Sequence, residues 1–200
     1  MTSSHHDPPA VVETRVVHDA HRLATSLLVT APASAPADMI DEFREFVVAM
    51  LSHHHESEDS DLWPLLCAAS PHLSEPLGRL SGEHSRLDAA LDELAESASP
   101  ESAVVVRDLL HEHLAHEEPV LFPVLRTDLA ADAWEGFSER TVASAPQNGK
   151  HLFVGLFHEV ASPAEVDLVL RHLPPEAKAL VPAMLAQAEP TLDVLRGAAR

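Results

Sequence analysis

One pattern of histidine, acidic, aromatic and proline residues occurs twice in the chain, at a constant offset of 59 residues. The first copy is His54-x3-Glu58-Asp59-x2-Leu62-Trp63-Pro64, and the second is His113-x3-Glu117-Glu118-x2-Leu121-Phe122-Pro123. In an α-helix, residues four positions apart lie on one face, so each histidine and the glutamate after it point the same way. The repeat therefore predicts two helices that place matching histidine–glutamate pairs symmetrically about one centre.

The segments around the repeat have the length and composition of helices. Alanine, leucine and acidic residues dominate and glycine is scarce, which favours helices over strands. Loops rich in proline, serine and alanine leave four long segments, at about residues 11–29, 38–69, 75–97 and 101–127. Short connections between such segments are typical of an up-down-up-down four-helix bundle. We therefore predict an all-α protein with a bundle over residues 11–127.

The remainder of the chain, residues 128–200, has shorter segments that are broken by prolines. Its apolar residues recur at helical spacing, but it holds no cluster of ligand-type residues comparable with the repeat. We predict that it is a C-terminal helical extension that packs on the bundle.

Both histidine–glutamate pairs lie on the apolar face of their helices. Around the first pair that face carries Val47, Leu51 and Leu62, and the second pair has similar neighbours. Buried carboxylates and imidazoles cost free energy unless they are paired or bound to a metal. Neutral imidazoles suit first-row transition metals, and carboxylates can lie between two ions and offset their charge. The pairs therefore predict a two-metal centre that Glu58 and Glu117 bridge.

Histidines on the other two segments complete the predicted ligand set. His84 lies among leucines on the inward face of the third segment, and Asp88, one turn later, is a candidate ligand or a partner of one. On the first segment His18 is the chosen ligand, with His21 as its rival because the surrounding face is mixed. Histidines that flank the ligands point about 100° or more away, so we expect most of them at the surface or behind the ligands: His53, His55, His111 and His116. Isolated histidines are predicted to be structural or surface residues: His72, His151, His158 and His172.

These motifs resemble those of the hemerythrin-like, or HHE cation-binding, family. The resemblance covers roughly residues 11–127, and the tail, including Trp134, is similar to that of actinobacterial members. It implies a four-helix bundle with two non-haem iron ions, oxo- or hydroxo-bridged, whose partner is a small molecule: O2, peroxide or NO. The ligands that it implies are His18, His54, Glu58, His84, His113 and Glu117.

The chain departs from the oxygen-carrying members of that family at two positions. The carriers have a second histidine one turn after the first on the third helix, where this chain has Asp88. They also use His-x4-Asp on the fourth helix, where this chain has a three-residue spacing to a glutamate. Both departures argue against reversible oxygen carriage. Pro119 removes a helical hydrogen bond to Ala115, so we also expect a kink or bulge beside the site.

The net charge of the chain argues against two classes of binding partner. A formal net charge of −19 opposes binding to nucleic acid and to anionic membrane surfaces. No apolar stretch is long enough to span a bilayer, and residues 1–10 lack the apolar run of a signal peptide. A single cysteine, Cys67, fits a reducing compartment. We therefore expect a cytoplasmic protein, and its oligomeric state is not predicted.

Three functions fit a di-iron centre of this kind. The centre can bind O2, peroxide or NO; it can act as an oxidoreductase that activates O2 or disproportionates peroxide; or it can buffer iron. The chain contains no tyrosine, which excludes a tyrosyl-radical mechanism.

Overall fold

The computed structural model describes residues 7–197, and those residues form helices and loops with no strand. Most of residues 1–10, where we expect no signal peptide, therefore lies outside the described residues. The first helices are α1 (Pro9–Thr30), α2 (Ala37–Ser57), α3 (Trp63–Ala69), α4 (Ser74–Ser97) and α5 (Pro100–Thr127). A π-helical turn, Glu58–Leu62, joins α2 to α3, and a 3-10 turn, Pro71–Leu73, leads into α4. The prediction of an all-α fold is confirmed.

Five more helices follow among the described residues. They are α6 (Ala131–Ser144), α7 (Lys150–Val160), α8 (Pro163–Val169), α9 (Pro175–Ala179) and α10 (Val181–Leu195), with a 3-10 turn at Leu170–His172. Helix α7 packs against α1 and α10, and α8 packs against α1. The C-terminal helices therefore lie against the first helix. A domain boundary at residues 127 and 128 stays a prediction.

Helices α1, α2, α4 and α5 form a closed ring of contacts. Helix α1 contacts α2 and α5, and α4 contacts the same two helices. The connection between α4 and α5 is short: Ala98 ends α4 with a left-handed φ of 51°. Ser99 then caps α5, because its hydroxyl oxygen accepts a hydrogen bond of 3.0 Å from the Ser102 N–H.

Two apolar clusters fill the interior. The first cluster includes Val16, Leu51, Leu87, Leu91, Leu110 and Leu114, together with Leu152, Leu156 and Leu192 from the C-terminal helices. The second cluster includes Val11, Leu62, Leu66, Leu77, Leu80 and Leu121, together with Trp134 and Phe137 from α6. Full burial of one such leucine contributes about 1.5–3 kcal/mol. A layer of buried polar residues lies between the two clusters along α2, α4 and α5.

The irregular turn beside this layer is not where we expected it. Helix α5 stays α-helical through Pro119 and Pro123, so no bulge forms at Pro119, whereas a kink there stays a prediction. The π turn lies in the first copy of the repeat instead, where the Trp63 N–H donates to the Glu58 carbonyl. A proline removes only one helical hydrogen bond, and α5 remains α-helical without it. The wider turn comes directly before Pro64, which has no N–H to donate.

Gly155 allows α7 and α10 to approach closely. A Cβ atom at this position would lie 2.7 Å from the Ala188 Cβ and 2.9 Å from the Leu192 Cδ1. We expect Gly155→Val to lower the free energy of unfolding by about 1–3 kcal/mol, because the two helices would have to separate. Gly78, in the second turn of α4, has no atom within 4 Å of such a Cβ. Gly78→Val should therefore change stability by less than about 0.5 kcal/mol. Equal urea-unfolding midpoints for the two variants would contradict this reading of the α7–α10 contact.

Candidate metal centre

The six predicted ligands come together in the polar layer between the two clusters. His54 has the most exposed side chain of the six, at 11%, and the other five side chains are at 3% or below. Each helix of the ring contributes: His18 from α1, His54 from α2, His84 from α4, and His113 and Glu117 from α5, while Glu58 begins the π turn.

The ligand atoms form two groups, and within each group they lie within 4.8 Å of one another. The first group is His18, His54, Glu58 and Glu117, and the second is Glu58, His84 and His113. Glu58 belongs to both, since its Oε2 lies 3.5 Å from His54 Nε2 and 3.4 Å from His84 Nε2. Glu117 contacts both sides as well: its Oε1 is 3.6 Å from His18 Nε2, and its Oε2 is 3.2 Å from His113 Nε2. Both glutamates therefore lie between the groups.

The polar atoms at the centre of this layer lack hydrogen-bond partners. They include the Nε2 atoms of His18 and His54, Oε2 of Glu58 and both carboxylate oxygens of Glu117. One buried polar group without a partner costs about 1–3 kcal/mol, and native proteins contain few of them. A cation would satisfy these atoms together, and imidazole nitrogens with carboxylate oxygens suit first-row transition metals. The residues present therefore fit a metal centre.

The second ring nitrogens of three of these histidines contact carboxylates outside the set. The pairs are His84 Nδ1 with Asp59 at 3.0 Å, His18 Nδ1 with Glu118 at 3.1 Å, and His113 Nδ1 with Glu83 at 3.1 Å. A carboxylate at Nδ1 keeps the proton on that nitrogen and leaves the lone pair on Nε2 free for a metal. The three histidines are therefore held in the tautomer and orientation that a metal ligand needs.

The repeat explains two of these pairs. Asp59 and Glu118 occupy equivalent positions in the two copies, and each contacts the histidine of a neighbouring helix. The aromatic residues of the two copies behave alike: Trp63 stacks on His84 with ring centroids 5.9 Å apart, and Phe122 stacks on His18 at 6.3 Å. The same repeat thus supplies both histidine–glutamate pairs and the groups that orient the predicted ligands on α1 and α4.

A family model for the hemerythrin HHE cation-binding domain matches residues 12–125, which include all six of these residues. The chain belongs to the hemerythrin HHE cation-binding family. The chain has no significant match among curated proteins or solved structures. Hemerythrin domains bind metal ions, typically iron, and take small-molecule ligands at the metal site. Across residues 7–197, no helix is long and apolar enough to cross a membrane.

The two central carboxyl groups of this hemerythrin domain have opposite pKa shifts. Burial and the neighbouring Glu117 carboxylate raise the pKa of Glu58 well above its usual value. Burial also acts to raise the pKa of Glu117, but its electrostatic interactions with His18 and His113 outweigh burial and lower that pKa. Two adjacent buried carboxylates repel each other, and this repulsion favours the protonated form of one of them. A bound cation would offset the negative charge of both groups.

His21, the rival of His18, is also buried beside the centre of the hemerythrin domain. Its ring centroid lies 4.5 Å from that of His54, and neither of its ring nitrogens has a hydrogen-bond partner. Burial lowers its pKa well below the usual value, so it is neutral at pH 7. His21 belongs to neither group of ligand atoms, whereas His18 belongs to the first. On α1, the contacts therefore favour His18.

His55 takes the second of the two positions expected for a flanking histidine, since it is buried behind the predicted ligands. Its Nδ1 lies 2.8 Å from the Asp88 carboxylate, its Nε2 has no partner, and its ring stacks on His84 at 4.6 Å. Asp88 thus contacts His55 and belongs to neither ligand group. Helix α4 packs against α2 and covers this side of it. The other flanking histidines are partly or largely exposed: His53, His111 and His116.

Proposed function

We propose that this chain is a di-iron hemerythrin-like protein whose two ions are held by His18, His54, Glu58, His84, His113 and Glu117. In this proposal Glu58 and Glu117 bridge the ions, and the histidines are terminal ligands. One observation supports it most strongly: the two groups of ligand atoms share Glu58, and Glu117 contacts histidines of both groups. Most of these ligand atoms have no hydrogen-bond partner.

The proposal includes an up-down-up-down bundle over residues 11–127 with residues 128–200 packed on it. The order of the apolar clusters along the helices supports the alternation. Along the chain, α2 and α5 lead from the first cluster to the second, whereas α1 and α4 lead from the second to the first. Assignment to the actinobacterial type of the family rests on the sequence of the tail alone.

We further propose that the centre takes O2, peroxide or NO. Bound iron supplies the redox chemistry towards such molecules. The chain supplies few ligands for each ion, which leaves coordination positions free for a small molecule. His54 is the ligand nearest to solvent, so approach from its side of the centre is favoured. The apolar clusters above and below keep bulk water away from the layer.

Turnover measurements on the iron-loaded chain test this function. Peroxide, O2 and NO would be added separately, with an oxygen electrode and visible absorption as the two measurements. Repeated oxygen release from peroxide, or continuous O2 uptake with a reductant, would identify an enzyme. A stoichiometric spectral change without turnover would identify a binding protein. If none of the three molecules changes the spectrum of the iron-loaded chain, the proposed reactivity is wrong.

The carboxylates behind the histidines should also matter for iron affinity. We expect Asp59→Asn and Glu118→Gln each to weaken iron binding about 10–100-fold, because His84 and His18 lose the groups that fix their orientation. Competition with a coloured chelator would measure the affinities. Glu112→Gln removes the same charge from an exposed position of α5 and serves as the control. Affinities within twofold of wild type in both variants would contradict the orienting role.

A further inference from the structure

Away from the bundle centre, three more ligand-type side chains lie close together among the C-terminal helices. Glu135 and Glu139 on α6 meet His172 of the turn Leu170–His172, and one ligand atom of each lies within 4.8 Å of the other two. From the sequence we expected His172 to be isolated, and residues 128–200 held no cluster of ligand-type residues comparable with the repeat. That view is corrected by the packing of α6 against the turn, which joins residues far apart in sequence.

The geometry of this group resembles that of a binding site more than that of a surface ion pair. Glu135 and Glu139 are one helical turn apart and share a face of α6. His172 Nε2 lies 3.4 Å from Glu135 Oε1, and His172 Nδ1 lies 3.9 Å from Glu139 Oε1. The His172 side chain is only 5% exposed, and its Nε2 is buried without a hydrogen-bond partner. Such an atom costs free energy unless something else satisfies it.

The charges around Glu135, Glu139 and His172 favour the binding of a cation. Arg171 donates to Oε2 of Glu135 at 2.7 Å, so Oε1 remains directed at His172. Arg171 also pairs with the buried carboxylate of Glu13, which offsets its positive charge. Lys178 Nζ, the other nearby cation, donates to the backbone carbonyl of Arg171. Three carboxylates therefore face two positive side chains, and the neighbourhood carries net negative charge.

We propose that Glu135, Glu139 and His172 bind one divalent transition-metal ion, of which Zn²⁺ is the best fit, at a site separate from the bundle centre. One imidazole nitrogen and two carboxylate oxygens are ligands that zinc accepts at about 2.0–2.2 Å, with water in a fourth position. Ligand atoms at that range from one ion lie about 3–4 Å apart, and here one ligand atom of each residue lies within 4.8 Å of the other two. Magnesium and calcium prefer all-oxygen sites, so the imidazole argues against them. The ion would fasten α6 to the turn after α8.

Zinc titration of the full metal-free chain tests this site. Wild type should bind one more Zn²⁺ per chain than His172→Ala, measured by native mass spectrometry. Glu139→Gln should weaken one zinc site at least tenfold, and its side chain is 65% exposed, so the substitution leaves the packing intact. His158→Ala removes an exposed histidine of α7 and should match wild type.

The comparison between variants does not depend on how many ions the bundle itself takes up. Failure of the bundle proposal would lower zinc uptake in wild type and variants alike, and the difference of one ion would remain. If His172→Ala and Glu139→Gln bind as much zinc as wild type, with the same affinity, the proposed site does not exist.

Discussion

Glu58→Gln and Glu117→Gln should each weaken the binding of both metal ions in the bundle. Each substitution should also abolish most of the thermal stabilisation that iron gives. The two glutamates lie between the ligand groups, so each carries negative charge to both proposed ion positions. Two divalent ions close together repel each other strongly, and glutamine keeps the side-chain shape while it removes the charge that offsets this repulsion. Metal binding contributes to folding free energy, so the melting temperature should follow the loss of iron.

Iron content per chain and the melting shift on adding iron measure this effect. Glu56→Gln, two residues before Glu58 on the exposed side of α2, and Glu112→Gln on α5 remove the same charge elsewhere and should behave as wild type. If both bridge variants bind two ions with an unchanged melting shift, Glu58 and Glu117 do not bridge.

His54→Ala and His113→Ala should each lose at least one metal ion per chain. Each histidine belongs to only one group of ligand atoms, so its removal should mainly affect one ion and leave the other partly bound. The result should therefore differ from that of the glutamate variants, in which the binding of both ions weakens together. Native mass spectrometry of iron-loaded chains distinguishes one bound ion from two.

Histidines of α7 provide the controls for this pair. His151→Ala and His158→Ala remove the same side chain outside the bundle centre and should leave the iron content unchanged. Retention of two ions in both His54→Ala and His113→Ala would refute the assignment of these histidines as ligands.

Much of the fold and of the ligand cluster could be predicted because both follow from local periodicity. The equivalent pairs Val47 with Val106 and Leu51 with Leu110 mark the apolar stripes of α2 and α5, and all four residues are at most 1% exposed. Those stripes determine which way the residues one turn later point. The carboxylates next to the predicted ligands, Asp59 and Glu118, belong to the repeat too, so their contacts with histidines could have been inferred from its symmetry.

What could not be predicted depends on contacts between helices or on backbone geometry. The rotation of α2 allows His55 to lie at the surface or behind the predicted ligands, and only the packing of α4 against α2 buries it beside Asp88. The π turn occurs before Pro64, whereas the equivalent Pro123 lies in a regular helix, and no sequence difference explains that choice. His172 contacts Glu135 because α6 packs against the turn Leu170–His172, and no rule of sequence spacing connects the two residues.

Anomalous diffraction at the iron edge, from crystals of the iron-loaded chain, tests the central proposal most directly. The proposal predicts two iron peaks about 3.5–4 Å apart in the polar layer, the separation typical of two-metal sites. One peak should be bonded to His18 and His54, the other to His84 and His113, with Glu58 and Glu117 between them. A single peak, or no peak within bonding distance of these residues, would contradict the proposal of a carboxylate-bridged di-iron centre.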